Sequence, residues 1–83
     1  MSKYDDEIER LYNKANSEIN SIISVKFSNP FKFDKARTEY TGKILSATPS
    51  FMCVELELPF NNRIKDCIQY SDIYNREVFI TKI

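Results

Sequence analysis

Eighty-three residues, of which 42% are apolar and 29% charged, make one domain of globular composition, too rich in Phe, Tyr and Ile to stay disordered. Twelve basic and twelve acidic side chains cancel, which argues against a wholly acidic nucleic-acid mimic and against a strongly basic duplex-coating protein. No apolar run approaches the roughly 18 residues that span a bilayer, and the first residues lack a secretory apolar core. The expectation is a cytoplasmic chain with no membrane partner. With no His and only Cys53 and Cys67, a four-ligand zinc site is out of reach, and no metal or cofactor is expected.

In chain order, the first element is a helix over 1–25. From Asp5 to about Ser24 the apolar residues Ile8, Leu11, Tyr12, Ala15, Ile19, Ile22 and Ile23 fall on one helical stripe. Ser2 or Asp5 can cap it, and Asp5, Asp6, Glu7 and Glu9 sit where carboxylates face the positive end of the helix dipole. Asp6 with Arg10, and Lys14 with Glu18, are opposite charges one turn apart. Asn29-Pro30 ends the segment, because a residue before proline is pushed out of the helical region.

A basic, aromatic connector over 26–37 follows. Between Lys26 and Lys43 stand five basic side chains against Asp34 and Glu39, interleaved with Phe27, Phe31, Phe33 and Tyr40. Lys32, Lys35, Arg37 and Lys43 are placed to neutralise phosphates while Phe31, Phe33 or Tyr40 stack on unpaired bases. The same phenylalanines suit an equally natural role as plugs for the core.

The period then changes from 3.6 to 2. Thr38 to Ala47 reads as a strand, with Gly42 at a bulge or tight bend. Phe51 to Leu58 alternates Met52, Val54, Leu56 and Leu58 against Glu55 and Glu57; Arg63 to Tyr70 resumes alternation after a turn at 59–62, with Asp66 interrupting its apolar face, and Glu77 to Ile83 closes the chain. Short strands spaced by about 10–12 residues suggest a small antiparallel barrel over 38–83. The fold class is therefore α+β: an amphipathic N-terminal helix packed on a four- or five-stranded SH3-like or Sm-like barrel. Ile8, Leu11, Ile19, Ile22 and Ile23 would cover an open end or face of it.

Gly42-Lys43-Ile44, followed by Cys67-Ile68-Gln69-Tyr70-Ser71-Asp72-Ile73, resembles the YolD-like family of low-GC bacteria. Ile68, Tyr70, Asp72 and Ile73 fit that family's segment before the last strand, whereas Cys67, Gln69 and Ser71 replace its usual Trp, Pro and acid. The resemblance covers about a third of the chain and implies a small barrel more than it implies a function. Residue usage agrees with an A+T-rich genome: Phe, Tyr, Met, Ile, Asn and Lys supply 38 residues, and Gly, Ala, Arg and Pro supply 11.

Catalysis is not expected. Glu55 and Glu57 share a strand face and could form a carboxylate pair, but a solvated face explains them as well, and one Gly cannot build a phosphate loop. Cys53 and Cys67 sit nearly mirrored about the 59–62 turn, close enough with one bulge for a cross-strand bridge, or else two buried or half-buried thiols. Asn61, Asn62, Tyr70, Tyr74 and Arg76 lie in or beside turns where side chains reach solvent, and Tyr and Arg are favoured interface anchors. The expected function is a non-catalytic protein-binding module, monomeric or homodimeric, from a low-GC bacterium or its phage. The alternative is a single-stranded nucleic-acid binder using residues 26–43.

Overall fold

The computed structural model describes residues 2–29 and 37–82. Its elements run α1 (Lys3–Ser17), β1 (Ile22–Phe27), β2 (Glu39–Ala47), β3 (Phe51–Leu58), β4 (Asn62–Gln69), α2 (Tyr70–Tyr74) and β5 (Val78–Lys82). Ser2 caps α1, its Oγ accepting the Asp5 N–H at 3.1 Å, and Asp5 and Asp6 occupy the first turn. Arg10 pairs with Glu7 rather than Asp6, and Glu18 reaches Lys82 of β5 at 3.9 Å.

The helix is shorter than its apolar stripe predicts. It stops at Ser17; Glu18 is the C-cap and Asn20 turns the chain with φ 71°. Ile22 and Ile23 belong to β1, where Ile23 and Val25 are buried and Ile22 is 47% exposed. β-Branched side chains favour this pleated setting over a helix. The backbone gains partners too, since the Asn20 N–H donates to Ile44 O at 2.7 Å and the Ile44 N–H to Ser21 O at 3.3 Å. Lys26 and Phe27, expected in the connector, also lie in this strand.

Strand order is β4-β3-β2-β1-β5, with every neighbouring pair antiparallel. The sheet is not closed into a barrel, which corrects the SH3-like and Sm-like closure expected above. α2 begins directly after Gln69 and carries the chain away from β4, and β5 then pairs with β1 at the far side. One face holds Ile23, Val25, Tyr40, Ile44, Val54 and Leu56, and α1 lies against it with Ala15 buried and Ile8, Leu11, Tyr12 and Ile19 packed on the same cluster. Fully burying such aliphatic side chains is worth roughly 1.5–3 kcal/mol each before entropy.

The β2–β3 register shifts between Ile44 and Ser46, so the bulge falls after Gly42 rather than at it. Gly42 serves close approach instead. A Cβ there would lie 2.8 Å from Glu55 O and 2.9 Å from Leu56 Cδ2. Because the nearest atom is backbone, Gly42→Ala is expected to cost about 1–3 kcal/mol in urea unfolding, with β2 and β3 pushed apart.

Candidate functional site

Lys3, Glu7, Arg10 and Leu11 recur at helical spacing and share one face of α1. With Ile73 and Tyr74 of α2, Arg76 and Phe79, they line a groove of about 320 Å³ at one end of the fold. Tyr4 meets Tyr74 edge-to-face at 5.0 Å between ring centroids and an interplanar angle of 84°. Among the described residues five large apolar side chains are exposed, and Tyr4, Tyr74 and Phe79 of those five gather at this end. The clustering sets the groove apart from scattered surface apolar residues.

Arg76 is held there by its backbone. The Arg76 N–H donates to Ile73 O at 3.1 Å and the Glu77 N–H to Asp72 O at 2.9 Å, the paired bonds of a Schellman ending for α2. Arg76 takes the left-handed position, φ 62°, that glycine usually fills. The Ser28 hydroxyl donates to Arg76 O at 2.6 Å, tying this turn to the end of β1. Three cations, Lys3, Arg10 and Arg76, thus surround the groove against the single carboxylate of Glu7. Bonding to Arg10 holds the Glu7 carboxyl below the usual carboxylate range.

The remaining predicted site residues scatter. Asn61 and Asn62 are exposed at the β3–β4 turn, on a different loop from Tyr74 and Arg76. Beside them Phe60 is 94% exposed with φ 64°, a conformation bulky residues rarely hold. Tyr70, expected at the surface, is 0% exposed and belongs to the core. Tyr40, expected to stack on bases, is 1% exposed; its hydroxyl donates to Arg37 O at 3.1 Å, and the Arg37 guanidinium lies over its ring at 5.2 Å from the centroid. Lys43 stands opposite Glu55 across β2 and β3 and is half-buried. Lys32 and Lys35, with Phe31 and Phe33, lie outside the described residues.

Glu55 also faces Arg63 at 3.6 Å and sits opposite Lys65, so cations flank this side of the proposed carboxylate pair. Cys53 and Cys67 stand directly opposite each other with no bulge between β3 and β4. The Cys67 thiol is pushed above its ordinary range, first by its hydrogen bond with Cys53 and then by burial. Among the described residues no three of Cys, Asp and Glu gather as metal ligands, and no helix is long and apolar enough to cross a membrane.

Sequence reasoning overlooked Tyr4, Phe60 and Phe79. Tyr4 extends the helical stripe by one turn before Ile8, and that spacing was a usable signal. Phe79 is an apolar residue at an outward position of β5, between inward Val78 and Ile80. Compared with protein-family models and with curated proteins, the chain matches none. The YolD-like resemblance therefore rests on the residues quoted for it.

Between α1 and the sheet lies a smaller hollow of about 70 Å³, open to solvent and lined by Leu11, Ala15, Met52, Tyr70 and Ile73 among others. The Tyr70 hydroxyl is buried with no hydrogen-bond partner among the described residues. Burial foremost, then Tyr12 and Cys53 nearby, push its ionisation up to about 12 from an ordinary 10.0. Between those values the native state binds more protons than the unfolded chain, so stability is intact below pH 10 and falls as pH rises toward 12. Tyr70→Phe leaves no protein group unpaired, so urea unfolding should show it neutral or up to about 2 kcal/mol more stable. The same variant should lose the Tyr70 share of the alkaline decline.

Proposed function

We propose that the chain is a non-catalytic protein-binding module that receives a partner segment in the groove between α1, α2 and β5. The observation that carries this reading is the gathering of exposed Tyr4, Tyr74 and Phe79 around a concavity rimmed by Lys3, Arg10 and Arg76. Aromatic and arginine side chains in a concave, partly desolvated setting are the usual anchors of protein interfaces. The excess of cations selects a segment that pairs carboxylates with a bulky apolar residue.

The neighbouring sheet edge favours an extended segment. The free edge β4 carries exposed Arg63 and Lys65, charges that discourage strand pairing, whereas the one charge of β5, Lys82 at its end, faces Glu18 at 3.9 Å and leaves Phe79 and Thr81 on the other side of the sheet. A partner strand laid along β5 would satisfy its open backbone groups while one side chain enters the groove. The A+T-rich residue usage extends the proposal to a phage or mobile-element protein acting on a host protein in a low-GC bacterium.

The alternative, single-stranded nucleic acid on residues 26–43, retains Lys26 and Arg37 as exposed cations among the described residues but loses Tyr40 as a stacking platform. An oligonucleotide shift at low salt, abolished by joint change of Lys32, Lys35 and Arg37 to Glu, would favour it.

Arg76→Gly separates binding from folding, because glycine suits the left-handed position and keeps the α2 ending. Peptides selected from a random display library on the whole chain should combine Asp or Glu with Leu, Phe or Trp. Arg76→Gly should weaken them about tenfold while the protein melts no lower than wild type. Basic peptides, or affinity unmoved by Arg76→Gly and by Tyr74→Ala, would overturn the reading.

A further inference from the structure

The β3–β4 ladder is unbroken from Phe51 opposite Gln69 to Leu58 opposite Asn62, with Cys53 opposite Cys67. Its hydrogen-bonding phase follows from one bond beyond its end. The Tyr70 N–H donates to Ser50 O at 3.2 Å, which marks Ser50 and Tyr70 as a hydrogen-bonded pair. Hydrogen-bonded and non-hydrogen-bonded pairs alternate, so the cysteines, three pairs along, form a non-hydrogen-bonded pair. Such pairs bring Cα atoms to about 4.5 Å with side chains close together, inside the roughly 4.4–6.8 Å that a disulfide spans.

The side chains agree with the register. Met52, Val54 and Ile68 are buried in the core, so the intervening Cys53 and Cys67 project from the opposite face, with their Sγ atoms 2.7 Å apart. Cys67 is exposed and Cys53 half-buried. A small reagent can therefore reach one thiol while the other waits beside it.

We propose that Cys53 and Cys67 are a reversible oxidation site, converted to a cross-strand disulfide by a small disulfide of the glutathione type. The Cys67 thiol, which its hydrogen bond with Cys53 holds protonated to higher pH, first loses its proton; the thiolate attacks one sulfur of the reagent, whose S–S bond breaks and releases the first small thiolate, which takes up that proton. Cys53 then loses its proton and attacks Cys67 Sγ, expelling the second small thiolate, which takes up that proton. The two cysteines lose two electrons between them, and one small disulfide becomes two thiols. Excess small thiol reverses both steps. The bond ties the edge strand β4 to β3 at the foot of α2 and shortens the unfolded chain's reach by a loop of about 15 residues. This site stands apart from the α1–α2–β5 groove and does not depend on the binding proposal.

The test treats the whole chain with oxidised glutathione, blocks remaining thiols with N-ethylmaleimide and weighs the intact protein. The expected product is a monomer two hydrogens lighter with neither glutathione nor maleimide attached. It should melt about 5–15 °C above the reduced form and return to it with dithiothreitol. Cys53→Ser should stop at one glutathione on Cys67. Glutathione or maleimide on both cysteines of the wild type, or a disulfide joining two chains, would overturn the proposal.

Discussion

An open five-stranded sheet has one apolar face and no second sheet to cover it, so the fold depends on α1 lying across that face. The requirement reaches both ends of the chain. β1 must run through the interior of the sheet, between β2 and β5, for Ile23 and Val25 to complete the apolar surface that α1 shelters. α1 is correspondingly short, because the chain must turn at Asn20 before it can enter the sheet.

The groove is a by-product of that arrangement. α1 and α2 meet over one end of the sheet, and neither is long enough to cover Tyr74 or Phe79. The Schellman turn that ends α2 then sets Arg76 at the rim, with Ser28 bracing it from the end of β1. The elements that bury the core thus also gather the exposed aromatic and cationic side chains. At this end aromatic exposure, a concavity and an excess of positive charge coincide.

Much of the architecture was legible where one period ruled alone. The helix start was readable from a cap at Ser2 or Asp5 and the acidic first turn, and the β3–β4 hairpin from alternation that is clean over Phe51–Leu58 and interrupted only by Asp66 beyond the 59–62 turn. The helix end was not readable, because Ile22 and Ile23 continue the helical stripe while Ile23, Val25 and Phe27 also alternate as a strand. Long-range bonds to Ile44 and pairing with β5 decide between the two, and neither is local information. Closure into a barrel failed for a similar reason, since strand spacing says nothing about whether the first and last edges meet. Of the site, Tyr74 and Arg76 were legible as turn residues, but Tyr40 and Tyr70 have the same amphipathic chemistry and are buried.

Backbone chemical shifts and native-state hydrogen exchange over residues 18–27 test the central claim most directly. The account predicts helical shifts ending near Ser17, extended shifts from Ile22 to Phe27, and the hydrogen-bonded amides of β1 among the slowest to exchange. Helical shifts continuing to Ser24, or β1 amides exchanging as fast as those of an unpaired segment, would contradict it.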